Sequence, residues 1–155
     1  MIITDAKESK NIDNLISKKY KIPSNIRMEV AGLEAFKSIN SYFKPKRALI
    51  IIGTGNNGGD GLVLARYMFI NNISCDIFMM ENSKKTSVDF KNNKKIVEKL
   101  NINFVKSLNK NKISKYDLIV DAIFGIGLNR DIQIKSPIYK IIKLINKSKK
   151  NICSL

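Results

Sequence analysis

Along residues 4–19 and 25–43, apolar side chains recur at the three- and four-residue spacing of a helix. They are Ile12, Leu15 and Ile16 in the first stretch, and Ile26, Val30, Leu33, Phe36 and Ile39 in the second. Two N-terminal helices are predicted, with Pro23-Ser24-Asn25 as a break carrying an N-cap candidate and Lys44-Pro45-Lys46 closing the second. The pattern then changes period. Ala48 to Ile52 is a continuous apolar run bounded by Gly53, as expected of a parallel strand covered on both faces. Beyond it the chain alternates: a Gly/Asn loop over 53–60, a helix over 62–71, a strand over 73–80, a helix over 87–100 and a short strand over 102–105. A buried strand over 117–124, a helix over 137–148 and a further apolar strand over 151–155 follow. Strand and helix in repetition predict an α/β fold, a three-layer Rossmann-like sandwich around a mainly parallel sheet with right-handed crossovers. No internal repeat or linker interrupts it, so residues 1–155 read as one domain.

Composition narrows the chemistry. The 155 residues contain no His, which removes Ser-His-Asp and Cys-His catalysis and His-ligated zinc. Any acid or base must then be Asp, Glu, Lys, Tyr or Cys. No apolar run approaches the ~20 residues of a membrane span, and the opening residues carry charge where a signal peptide needs an apolar stretch, so a soluble, cytoplasmic protein without a membrane partner is expected. The formal charge of +15 invites a nucleic-acid reading. Against it, Ile, Lys and Asn supply 26, 24 and 18 residues, the bias of A/T-rich coding, and Arg occurs only four times. The Lys residues are spread over the whole chain, so a solvated coat is expected and no specific nucleic-acid binding. Cys75 and Cys153 lack CxxC spacing and sit in apolar segments, which predicts reduced, buried thiols.

In an open α/β sheet the ligand site lies beyond the carboxyl ends of the strands, which directs attention to the loops after Ile52 and after Phe124. The first, Gly53-Thr54-Gly55-Asn56-Asn57-Gly58-Gly59-Asp60-Gly61, places five Gly in nine residues directly before a helix. Glycine lets backbone approach a phosphate or ring, and N–H groups at a helix start attract anions. Asp60 either caps that helix or faces a ligand hydroxyl. Gly53, Gly55 and Gly58 satisfy GxGxxG, with Glu81 where a ribose-binding acid would stand, so a plain NAD-binding module is one reading. The twin Asn and the Gly59-Asp60-Gly61 that follow are not part of that fingerprint.

Gly55-Asn56-Asn57-Gly58-Gly59-Asp60-Gly61 followed by Leu62-Val63-Leu64-Ala65-Arg66 resembles the signature of the YjeF N-terminal domain family, the NAD(P)H-hydrate epimerases. Asp121-Ala122-Ile123-Phe124-Gly125-Ile126-Gly127-Leu128-Asn129-Arg130 is similar to the family's D-A-L-F-G-T-G-L-x-R, and Met28-Glu29-Val30-Ala31-Gly32 to its M-E-N-A-G, with Val30 in place of Asn. The resemblance implies interconversion of the R and S epimers of NADHX and NADPHX, with a dehydratase as functional partner and a homodimer as assembly. It implies that Asn56, Asn57, Gly58, Gly59 and Asp60 bind the hydrated cofactor together with Gly125, Ile126, Gly127, Leu128, Asn129, Arg130 and Asp131. It also implies that Asn57 and Asp121 hold a potassium ion. The family continues past a strand like 151–155 with D-x-P-S-G, whose Asp is the natural general acid/base and would stand just after Leu155. The domain is therefore expected to be incomplete at its C-terminal end, and no residue of the chain is assigned as catalytic. A non-catalytic scaffold of the same fold that associates with RNA is the other reading the resemblance leaves open.

Overall fold

A computed structural model of the chain describes residues 5–80, 86–126, 128 and 131–155. At its centre is β1 (Arg47–Ile52), whose residues from Ala48 onward are completely buried. It pairs in parallel with β2 (Ser74–Met79) on one side and with β4 (Leu118–Ala122) on the other. The two-residue β3 (Asn103–Phe104) lies outside β2 and β5 (Asn151–Ser154) outside β4, giving the order β3-β2-β1-β4-β5. The expected α/β sandwich with a parallel sheet is what the chain forms.

Alternation along the strands sorts the core into two faces. Ala48, Ile50 and Ile52 of β1 join Leu118, Val120 and Ala122 of β4 under α2 (Ser24–Tyr42), α3 (Asn56–Ile70) and α4 (Val88–Lys99). Leu49, Ile51 and Ile119 face the opposite way, toward the one-turn α5 (Lys110–Ile113) and the longer α6 (Pro137–Asn146). With roughly 25 cal/mol gained per Å² of apolar area buried, strands covered on both sides supply the largest share of the driving force.

Four departures from the sequence reading have physical causes. The helix expected from residue 62 begins six residues earlier, at Asn56, because its glycines are seated against neighbouring elements, which compensates their poor helix propensity. One turn of helix, α5, was not foreseen; its start is an Asn109 side chain accepting from the Lys112 amide at 2.9 Å. The strand expected over 151–155 closes one residue sooner, at Ser154. Leu155 still donates its amide to the Asp121 carbonyl at 3.0 Å, and its half-buried side chain packs on the core beneath α2 and α3. Finally, α1 (Ala6–Lys19) and α2 bury less of the expected apolar set than the spacing implies. Ile12, Leu15, Ile26 and Val30 are all about half exposed, while α2 turns Met28, Gly32, Phe36 and Ile39 inward. Helix ends are set by left-handed residues: Asn72 and Asn101 take φ near 60°, letting Ile73 and Ile102 donate back to Met68 and Val97.

At the amino-terminal edge of the sheet, Asp76 of β2 is only 6% exposed and accepts three hydrogen bonds. The donors are Arg47 Nη2 at 2.8 Å, the Tyr116 hydroxyl at 2.7 Å and Asn103 Nδ2 at 2.7 Å. Burial pulls the Asp76 carboxyl upward, but these donors and the Arg47 charge outweigh it and hold the group below the usual carboxylate range. Beside it, burial pushes the Cys75 thiol up to about 12; Cys75 and Cys153 are each partly buried, short of the full burial expected, because both lie on strands near the edges of the sheet.

Candidate functional site

The strand order reverses direction between β1 and β4, so the crevice past their carboxyl ends is where the fold admits a ligand. Ile51 is in register with Asp121 and Ile52 with Ala122, and the Gly53 amide extends the ladder by donating to the Ala122 carbonyl at 3.0 Å. Only Gly53, Thr54 and Gly55 separate β1 from α3, which brings the helix start directly over this edge.

Most of the glycines serve packing, a different use from the cradle their density suggests. A Cβ on Gly58 would lie 2.0 Å from the Gly53 carbonyl oxygen, and one on Gly61 would lie 2.9 Å from both the Ala122 and the Ile52 side chains. These two press α3 onto the sheet. Gly59 faces outward from the sheet against Met28, and Gly32 of α2 receives Val63 in the same way. Gly55 alone in the segment from 55 to 61 has open space where a side chain would go. It is also the N-cap and offers no side chain to the first helical amides.

Asn57 links the two loops. Its Nδ2 donates to the Phe124 carbonyl at 2.9 Å, and a Cβ on Gly125 would meet Asn57 Cβ at 3.3 Å and Oδ1 at 3.7 Å. With Nδ2 committed, Oδ1 is the amide atom left to face a cation or hydroxyl. Asp121 accepts the Ile123 amide on Oδ1 at 3.0 Å, so this carboxylate shapes the turn after β4. A carboxylate and an amide oxygen are the hard donors that a potassium ion takes, so the residues present fit such an ion.

Asp60 is not the N-cap; it lies in the second turn of α3, half-buried. Burial, with a smaller push from the Asp13 charge, raises its carboxyl to about 7. Between pH ~4 and 7 the folded chain therefore holds a proton that the unfolded chain, with an ordinary carboxyl near ~3.9, has released. Stability contributed by this proton is complete below the unfolded value and is lost as pH rises through 7. The Asp60→Asn protein is expected to be about 1–2 kcal/mol more stable than the parent at pH 8, after allowance for solvent at the partly exposed carboxyl, with the gap closing toward pH 4. Urea midpoints across that range measure it; a gap independent of pH would refute the assignment.

Of the expected substrate residues, Asn56, Asn57, Gly58, Gly59 and Asp60 form the opening of α3, while Gly125, Ile126, Leu128 and Asp131 follow β4. Gly127, Asn129, Arg130 and Glu81 lie outside the described residues. Ile126 and Leu128 are strongly exposed at 63% and 43%. Leu155, the residue after which the acid/base Asp is expected, serves packing: an apolar side chain can neither give nor take a proton, and its amide is engaged by Asp121. That bond brings the end of β5 to the strand edge where Asp121 stands. Val30, the expected departure near the site, stands half exposed on α2. Sequence reasoning did not assign a role to Met28 or Gly32; the only signal was their place in the Met28–Gly32 segment.

A family model described as YjeF-related protein N-terminus matches residues 24–155. The chain is 34% identical over 149 residues to an Oenococcus oeni protein named NAD(P)H-hydrate epimerase, covering 95% of this chain and 69% of that protein. It is 38% identical over 112 residues to a Levilactobacillus brevis protein of the same name, of which it spans 51%. With a Moorella thermoacetica protein named bifunctional NAD(P)H-hydrate repair enzyme it shares 35% over 138 residues, 26% of that longer protein. The crystal structure of the yeast protein YNL200c superimposes with a TM-score of 0.83 at 23% identity, covering 99% of this chain and 69% of the yeast one; at that identity the likeness speaks for the fold.

Proposed function

Because the chain belongs to the YjeF-related N-terminal family, we propose that it is an NAD(P)H-hydrate epimerase, interconverting the R and S forms of hydrated NADH and NADPH. The observation that carries this reading is the lock between Asn57 and the Phe124 carbonyl, which joins the start of α3 to the turn after β4 at the switch point. C6 of the hydrated nicotinamide ring carries both the hydroxyl and the ring nitrogen, so it changes hand when one of these bonds breaks and re-forms on the other face, either the C–O bond with loss and return of water or the C–N bond through an open aldehyde. Either route requires a group that gives up and recovers a proton near neutral pH. The Asp of the family's D-x-P-S-G segment meets that requirement in this reading, and Asp60, whose burial raises its carboxyl to about 7, belongs to the substrate-binding loop. The amides at the start of α3 suit the anionic part of the cofactor. In this reading Gly125, Ile126, Leu128 and Asp131, which follow β4, contact the cofactor from the second loop, and Gly127, Asn129 and Arg130 are assigned to the same ligand from the sequence alone.

Asn57 Oδ1 and the Asp121 carboxylate would hold a potassium ion, whose chemistry when bound is to neutralise negative charge beside the substrate. The assembly proposed is a cytoplasmic homodimer, for which the half-exposed Ile12, Leu15, Ile26 and Val30 supply apolar surface; a dehydratase acting on the S form is the functional partner. Among the described residues no helix is long and apolar enough to cross a membrane.

Chromatographic loss of the R epimer in potassium buffer tests the activity, and Asp121→Asn tests the ion. Asn keeps an oxygen for the Ile123 amide but removes the charge, so half-maximal activation is expected to need roughly tenfold more potassium, the equivalent of ~1.4 kcal/mol. Unchanged potassium dependence would remove Asp121 from the cation site, and a protein carrying the D-x-P-S-G segment after Leu155 that leaves both epimers untouched would remove the epimerase reading.

A further inference from the structure

The opening turns of α3 are held between two jaws. On the sheet side Gly58 and Gly61 press against Gly53, Ile52 and Ala122; on the other side Met28 of α2 meets the helix at Gly59, with the Phe90 backbone of α4 next nearest at 3.8 Å. A Cβ on Gly59 would lie 2.5 Å from Met28 Cε and 2.7 Å from its sulfur, so the thioether fills the space a side chain at 59 would need. Met28 is itself 6% exposed and accepts a hydrogen bond on sulfur from Asn93 Nδ2 of α4 at 3.4 Å. Asn93, 8% exposed, donates the same amide group to the Asp89 carbonyl at 3.1 Å, and Asp89 accepts the Ser24 hydroxyl from the first turn of α2 at 2.5 Å. One turn further along, Glu29 accepts from the Tyr67 hydroxyl at 2.5 Å and pairs with Arg66, which fixes the register of α2 on α3. Met28 is thus anchored from three directions while its flexible end rests on the turn that carries Asn57.

We infer that Met28 is a positioning residue for this site: by filling the space above Gly59 it sets the depth of the first turns of α3 and so keeps Asn57 within reach of the Phe124 carbonyl. The consequence for catalysis rests on the epimerase reading; the consequence for α3 does not.

Hydrogen exchange at single amides separates the two. In Met28→Ala and in Gly59→Ala, exchange at the Asp60 and Gly61 amides is expected to rise roughly tenfold relative to that at Leu64 and Met68 in the same chain, a ratio that cancels any loss of overall stability. Combining the two substitutions puts a methyl group into the vacated space and is expected to return the ratio to within about threefold of the parent. If Met28→Ala does not fold, Gly59→Ala and the double variant carry the same comparison. Exchange that rises evenly along α3, or a Gly59→Ala effect that the second substitution does not relieve, overturns the inference. In the epimerase assay the Met28→Ala protein is expected to show a KM raised about tenfold with kcat within about twofold, since the turn binds but does not react. A protein carrying the D-x-P-S-G segment that shows no activity would end the functional reading and leave the exchange result standing.

Discussion

Gly58→Ala is expected to lower kcat/KM about 100-fold and to cost about 3 kcal/mol of stability. The added methyl would stand 2.0 Å from the Gly53 carbonyl oxygen and 2.8 Å from its carbon, both backbone atoms at the end of a completely buried strand. Neither can yield, so the helix start must lift. Overpacking of this kind costs ~1–3 kcal/mol, with the upper end appropriate where backbone meets backbone. The functional loss is separate. Asn57 is the neighbouring residue, and a shift of about 1 Å in a positioned group is enough to cost ~10²-fold. Kinetics taken well below the melting temperature distinguish the two effects. Gly55→Ala is the contrasting case: its added methyl meets nothing and φ is −90°, so stability is expected to hold or rise by about 0.5 kcal/mol. Equal losses from both substitutions would contradict the packing role given to Gly58.

The second large effect is expected at the other end of the sheet. Asp76→Ala is expected to destabilise the chain by about 3 kcal/mol, because it deprives the buried Tyr116 hydroxyl and Asn103 amide of their acceptor and separates Arg47 from its counter-charge. Half of the Arg47 side chain is in solvent, which keeps the loss at the lower end of the range for buried pairs. Asp76→Asn retains an acceptor and is expected to cost about 1–2 kcal/mol. The pH signature has the sign opposite to that of Asp60. The Asp76 carboxyl is held below its unfolded value, so its contribution is present above pH ~4 and is lost as pH falls through the depressed value. Acid titration of stability in the parent and in Asp76→Asn measures this; identical acid slopes would remove Asp76 as a source of acid sensitivity.

How much of this was legible in the chain depends on the range of the forces involved. Ala48 to Ile52 and the apolar residues of β4 announce doubly covered strands by their composition, and the order of elements follows from them. The start of α3 was hidden because propensity is a local quantity: Gly58, Gly59 and Gly61 argue for a loop until Gly53, Met28 and Ala122 are brought against them. The same glycines were read as ligand contacts, and their packing role, which leaves open space at Gly55 alone between 55 and 61, has no local trace in the sequence. Periodicity found α1 and α2 without showing what they cover, since Ile12 and Val30 have the spacing of core residues but lie on exposed faces. The Asp76 cluster had one trace, a carboxylate inside an apolar strand; its partners Arg47, Asn103 and Tyr116 are distant in sequence and are united only by the fold.

The central place of β1 has a further consequence, felt while the protein is being made. Its partners on β4 are 70 positions further along, as is Asp117, whose carboxylate receives the Arg47 amide. A ribosome adding ~5–20 residues per second reaches them roughly 4–14 s after β1 has emerged. For that interval the most apolar segment of the chain has β2 along one edge and nothing along the other. Nascent chains of this protein are therefore expected to draw on chaperones until β4 arrives, and codon choice between residues 53 and 117 becomes a lever on yield.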